Sequence, residues 1–303
     1  MILNAVISII VYSKREKQQV EDIIHKYEAT AEFEDLSVGS REHFAYTIKV
    51  AYSPRIVQSC LRDLNKLDNG IQDTADYFGF SFDYEEKDYT SSPLFFIQTI
   101  GNKAGLYIKS QKLKLEVFCH HCNRKKIEDG GQKPVIDANK LIKNPILYVD
   151  HSLVISGILA EKLHNSGLSG YDLVEVEHNG KKEAAVKGYQ IRPTNTLAPQ
   201  CIPYKYLDDP YINNQSNRCP ICKLGGHLFA PYYYNPEDLK EIKDFNYTYE
   251  YKDYNFVHRK ILISKRVVDL FKDESYINNI VKRFEPGGDK DWVLEPILMN
   301  SDC

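Results

Sequence analysis

Cys119-His120-His121-Cys122 and Cys219-Pro220-Ile221-Cys222 are two C-x-x-C turns in one chain. The spacing lets one tight turn aim two thiolates at one metal. Two such turns brought together supply the four soft ligands of a closed tetrahedral site. They hold four of the seven cysteines. The expectation is one structural Zn2+ on Cys119, Cys122, Cys219 and Cys222, with a redox dithiol as the competing reading. His120 and His121 sit inside the first turn, where exposure is expected and replacement of a cysteine ligand is the alternative. His227, just after Gly225-Gly226, is a further candidate ligand. Cys60 falls on the apolar face of a predicted helix, Cys303 reads as a free tail thiol, and Cys201 could compete for the metal.

Residues 123–218 separate the two turns, far more than a minimal zinc ribbon needs. The second turn must still return beside the first, so this block is expected to be an insertion with its own structure. Short strands are predicted over 95–100, 105–110 and 114–118, the last delivering Cys119 directly.

Upstream, the order of elements is β-α-β-β-α-β. Ala5 to Tyr12 is short, continuous and β-branched, as a buried strand is. Ser13 then caps a helix whose stripe is Val20, Ile23, Ile24 and Tyr27. Strands follow over 31–36 and 44–52, separated by the turn Val38-Gly39-Ser40. Ser53-Pro54 opens a second helix with Ile56, Val57, Cys60, Leu61, Leu64 and Leu67 on its buried face. Asp68-Asn69-Gly70 ends it, and residues 77–84 alternate aromatic with small or polar side chains, as a half-buried strand does. This order is that of the split βαβ, ferredoxin-like fold. The aromatic signature of RNA-recognition domains is missing from the 44–52 strand. Asp83, Glu85, Glu86 and Asp88 read as a solvated acidic face, or else as a docking surface for a basic partner.

Two domains are therefore expected in an α+β chain: a ferredoxin-like domain over 1–92 and a zinc-ribbon domain over 93–303. A chain of 303 residues with 43% apolar content can bury both cores. A net charge of −3 argues against a strongly basic nucleic-acid binder. The apolar start, residues 1–12, has no basic leader or cleavage site and is too short to span a membrane. A reducing, cytoplasmic setting is expected, which favours zinc over disulfides.

Residues 153–176 resemble residues 261–284. Leu153-Val154-Ile155-Ser156 matches Ile261-Leu262-Ile263-Ser264. Each Ser can cap a short amphipathic helix, carrying Leu159, Ala160 and Leu163 in one copy and Val267, Val268 and Phe271 in the other. Each helix leads through a turn to an apolar strand. The pattern reads as a duplicated strand–cap–helix–strand unit.

With the paired turns, the long insertion and this terminal unit, the chain over about 94–286 resembles the bacterial double-CxxCG-motif immunity proteins of polymorphic toxin systems. The resemblance rests on the order of elements. The family's Gly after the second Cys of each turn is replaced here by Asn123 and Lys223. The resemblance implies a cytoplasmic, non-enzymatic protein that binds and neutralises a cognate toxin, and carries over only the four cysteines.

Enzyme readings are weaker. A zinc deaminase needs His-x-Glu and Pro-Cys-x-x-Cys, and here Pro220 follows Cys219. Asp150-His151 with His164-Asn165 imitates the core of an HNH nuclease. The repeat argues against it: His151 aligns with Arg259, Asp150 with His258 and His164 with Lys272, so the frame recurs without the polar set. Cys60 has no His pattern beside it, and the glycine pairs form no phosphate loop. The leading expectation is a protein-binding module, with a nucleic-acid-binding zinc ribbon as the alternative. Tyr232-Tyr233-Tyr234, with Tyr247, Tyr249, Tyr251 and Tyr254, is a candidate contact surface or an ordinary strand pattern.

Overall fold

A computed structural model describes residues 1–67, 78–99, 115–127, 133–149, 151–226, 231–252, 256–273, 277, 280–281 and 292–302. It is mixed α+β and forms two compact units, Met1–Glu85 and Glu86–Cys303.

The first unit runs β1 (Ile2–Val11), α1 (Lys14–Lys26), β2 (Thr30–Asp35), β3 (Phe44–Ala51), α2 (Pro54–Leu64) and β4 (Phe78–Asp83). The strands lie in the order β2-β3-β1-β4, each neighbouring pair antiparallel. Alternation on β1 sends Leu3, Ala5, Ile7, Ile9 and Val11 to the covered face. Val20 and Ile23 of α1 and Cys60 and Leu64 of α2 complete that core. Each large apolar side chain so buried contributes about 1.5–3 kcal/mol. Ser13 Oγ accepts the Glu16 N–H, and Glu16 Oε2 accepts the Ser13 hydroxyl and the Tyr12 N–H. This reciprocal cap fixes the start of α1. Ser53 precedes α2 in extended backbone but its side chain makes no cap hydrogen bond; Pro54 at the first turn sets the start. Asp68, Asn69, Gly70 and Tyr77 lie outside the described residues.

The acidic run is not a uniformly solvated face. Asp83 accepts Lys49 Nζ at 2.7 Å and Asn4 Nδ2 at 2.9 Å, and Glu85 accepts the N-terminal amine. Asp88 is buried.

The second unit opens with α3 (Glu86–Ser91), β5 (Leu94–Thr99), β6 (Leu115–Cys119), β7 (Arg124–Ile127), β8 (Val135–Ile136), β9 (Ile146–Val149) and β10 (Ser152–Ser156). It continues through α4 (Gly157–Asn165), β11 (Tyr171–Glu175), β12 (Glu177–His178), β13 (Gly188–Pro193), β14 (Asn195–Thr196), β15 (Tyr233–Tyr234) and β16 (Phe245–Lys252). It closes with β17 (Phe256–Ser264), α5 (Lys265–Asp273), β18 (Ile280–Val281), β19 (Trp292–Pro296) and β20 (Leu298–Met299). The main sheet has the order β14-β16-β17-β5-β19-β18, and the β6–β7 hairpin joins it where β7 runs parallel to β17. A second sheet, β11-β13-β10-β9, lies wholly within the expected insertion. It shares one apolar cluster with the main sheet: Leu153, Ile155 and Ile191 pack with Phe95, Ile97, Ile261, Ile263 and Leu294. The insertion is thus one wall of a common core.

Both repeat copies run strand, serine, helix, strand. Ser156 Oγ accepts the Leu159 N–H at 3.3 Å, and Ser264 Oγ accepts the Val267 N–H at 3.4 Å. Helices α4 and α5 put their apolar faces into the shared cluster. The copies differ in what separates their strands: β13 alone between β10 and β11, but β5 and β19 between β17 and β18. Asp244 links the copies, accepting the Ser169 N–H and hydroxyl after α4 and the Ser264 hydroxyl before α5.

The tyrosine run is core, not contact surface, at Tyr232 and Tyr234, which are buried against Leu94, Phe96 and Leu262. Tyr251 lies under the Arg259 guanidinium, Tyr249 is exposed, and Tyr254 falls outside the described residues.

A candidate metal site of four thiols

The first C-x-x-C turn caps the β6–β7 hairpin. Its register shifts between Val117 and Cys119, so Cys119 opposes Arg124 across the ladder. Pairing of β7 with β17 fixes the hairpin to the main sheet. The second turn is carried by turns instead of strands. The Cys219 N–H donates to Leu224 O and the Lys223 N–H to Cys219 O, both at 2.9 Å. Gly225 and Gly226 follow at φ 91 and 71. A Cβ on Gly226 would lie 1.9 Å from Asn214 O, so the backbone passes where only glycine fits.

These two supports bring the four predicted cysteines together. The sulfurs of Cys119 and Cys219 are 3.8 Å apart, as are those of Cys122 and Cys222. All four lie within 4.8 Å of one another. A disulfide needs about 2.05 Å, and all four cysteines are free. A tetrahedral site with metal–sulfur bonds of about 2.3 Å spaces its sulfurs by about 3.8 Å. The geometry fits a metal-sized centre. Cys119 and Cys219 are buried and Cys122 and Cys222 half-buried, so the centre would be shielded on one side.

The electrostatics point the same way. Burial pushes the Cys122 thiol up, but hydrogen bonds from the Arg124 backbone, Cys119 and the Arg124 side chain carry it down to about 6. The Cys222 and Ile221 backbone N–H groups lower Cys219 against its burial. Cys222 is instead pushed up to about 11, by burial first and then by the neighbouring thiols. Cys122 and Cys219 are thus eased toward the thiolate, while ionisation of Cys222 is opposed. A divalent cation at the centre removes that opposition, and binding it releases the remaining protons.

Arg124 is the residue that the sequence pattern did not single out. Its Nη1 donates to Cys122 Sγ at 3.1 Å and stands 4.0 Å from Cys222 Sγ. In the sequence it reads only as the first of three basic residues. The available signal was its place two residues past Cys122, entering a strand. Asn123 and Lys223 also prove informative. They have φ 56 and 61, the left-handed region that favours glycine. The two positions where the resembling family carries Gly are therefore positions where this backbone would favour one.

The other candidates do not join the group. His120 and His121 are exposed in the first turn. Cys60 is buried in the first unit, and burial pushes its thiol up to about 11. Cys201 is disulfide-bonded, so it is no competing ligand. His227 and Cys303 lie outside the described residues, as does Asp150. His151 stacks on His258 with ring centres 3.6 Å apart. His164 and Asn165 line a groove of about 850 Å3 with Ile142, Ile158 and Leu173. No helix among the described residues is long and apolar enough to cross a membrane. No family model, curated protein or solved structure matches this chain.

Proposed function

We propose that Cys119, Cys122, Cys219 and Cys222 hold one structural Zn2+, and that the chain is a non-enzymatic protein-binding module of the immunity-protein kind, acting on a cognate toxin in the cytoplasm. The observation that carries the metal reading is the four-thiol group itself. Four protein sulfurs at tetrahedral spacing leave no open position for a substrate or an activated water, which is the pattern of structural zinc and not of catalytic zinc. Soft thiolates together with tetrahedral spacing favour zinc over harder cations. In this reading the β6–β7 hairpin is one knuckle of a zinc ribbon and the turn at 219–222 the other.

The binding role rests on the resemblance, supported by the left-handed backbone at Asn123 and Lys223, where the family's glycines would sit. A ferredoxin-like reading of the first unit is supported by its β2-β3-β1-β4 order and two helices. Affinity capture from the native host, with and without nuclease treatment, tests the function. The proposal expects one stoichiometric protein that survives nuclease treatment and whose toxicity the chain suppresses. Recovery of nucleic acid alone, or of proteins lost with it, contradicts the proposal and favours a nucleic-acid-binding zinc ribbon.

A further inference from the structure

Among the described residues, strand β2 is the outer strand of the first unit's sheet and pairs with β3 alone. All six of its residues, Thr30 to Asp35, are exposed. In an antiparallel ladder, alternate residues of an edge strand direct both N–H and C=O away from the sheet. Such an edge accepts a further strand, unless the side chains forbid it.

Here the side chains select the occupant. Glu32 stands opposite Thr47 and Glu34 opposite Ala45, so neither has a cation across the ladder. Phe33, on the alternate face, is 46% exposed, with its ring against Phe44 and Tyr46 and the Lys17 ammonium 4.4 Å from the ring centre. The edge therefore offers open backbone and, on one face, two carboxylates with no cation directly opposite. A second copy of this chain is a poor occupant. Antiparallel self-pairing centred on Phe33 sets Glu32 opposite Glu34, and like charges directly opposed are destabilising. Nucleic acid and anionic membrane surfaces meet the same repulsion.

We infer that the β2 edge is a docking site for an extended, basic segment of a partner protein, added as a further antiparallel strand. Main-chain hydrogen bonds supply affinity, while Glu32 and Glu34 select Lys or Arg at alternate positions. That this partner is the toxin rests on the proposed function; the capacity of the edge to take a basic strand does not.

The test is titration of the full chain with a capped peptide of alternating Lys and Val, followed by amide NMR and repeated in higher salt. Controls are the Glu–Val peptide and the Lys–Val peptide N-methylated along one edge. The inference expects the Lys–Val peptide to bind and perturb the amides of residues 30–35, with the N-methylated and Glu–Val peptides failing. The double variant E32K/E34K, altered only at exposed positions and checked by thermal melting, should bind the Lys–Val peptide about tenfold more weakly and gain affinity for the Glu–Val one. Absence of binding, equal binding of the N-methylated peptide, or binding unchanged in E32K/E34K overturns it. Should wild type and E32K/E34K capture the same host protein equally well, the inference falls while the proposed function stands. Should wild type capture no protein, the proposed function falls and the peptide titration alone decides for the edge.

Discussion

Arg124 donates through Nη1 to the sulfur of Cys122 over 3.1 Å, placing a guanidinium against the thiol group from outside. Four thiolates around a divalent cation carry a net charge of two minus, and a fixed cation beside them offsets part of it. Groups that hydrogen-bond metal ligands typically contribute 10–100-fold in metal affinity when removed. Arg124→Ala should therefore lower zinc affinity by about that factor, measured by chelator competition, while Arg124→Lys keeps the charge and loses less. Unchanged affinity in Arg124→Ala would show that the contact is incidental.

Lys223 holds a left-handed backbone conformation that costs a side-chain-bearing residue roughly 1–2 kcal/mol. Gly there relieves the strain but adds entropy to the unfolded chain. The net expectation for Lys223→Gly is a gain of about 1 kcal/mol in the second unit, read by denaturant unfolding of the metal-loaded protein. Asn123→Gly should gain less, because Asn tolerates this region better than Lys.

Asp244 is buried and accepts hydrogen bonds from Ser169 and Ser264, with Arg266 Nη1 3.3 Å away. Removing its carboxylate leaves those donors without their acceptor, at a cost of about 1–3 kcal/mol per orphaned buried group. Ser264 is buried and Ser169 exposed, so Asp244→Ala should destabilise the second unit by about 1–3 kcal/mol, whereas Asp172→Ala, on a half-exposed strand, should change little. Equal effects would remove Asp244 from its linking role.

Asp63 joins α1 to α2 in the first unit, accepting Lys26 Nζ at 2.5 Å, Tyr27 Oη at 2.8 Å and Lys66 Nζ at 2.8 Å. Hydrogen bonds from Lys26, then Lys66 and Tyr27, hold its carboxyl well below the usual carboxylate range. A folded-state pKa below the unfolded value means that this stabilisation is fully present above the unfolded value, about 4. It is lost as pH falls further, toward the folded value. Asp63→Asn should flatten the acid limb of the first unit's stability below about pH 4 and leave its slope between about pH 6 and 8 unaltered, as followed by thermal melts across pH.

Much of this was legible in the sequence where a local rule had no competitor. The Ser13 cap, the alternation of β1 and the four cysteines follow from neighbours within one turn or one strand. The serine caps at Ser156 and Ser264 were visible for the same reason. What was not legible depends on distant partners. Tyr232 and Tyr234 carry a pattern that suits surface or core equally, and only packing against β5 and β17 decides for core. The insertion could not be seen as a wall of the shared core, because its apolar residues name no partner. Arg124 was obscured by Lys125 and Lys126, and its aim depends on a hairpin register shift that no local pattern encodes. The acidic run near residue 85 is solvated at Glu85 and Glu86 but not at Asp83, whose partners Lys49 and Asn4 come from other strands.

The central claim is that the four thiols hold one zinc that the second unit needs. Its most direct test is metal content determined together with thermal melting, for wild type and Cys219→Ser purified without added metal. The account predicts one zinc per wild-type chain. In the variant it predicts metal loss together with loss of the second unit's melting transition, since a structural zinc contributes its binding energy to folding. A Cys219→Ser protein with full zinc and an unchanged melting profile would contradict it.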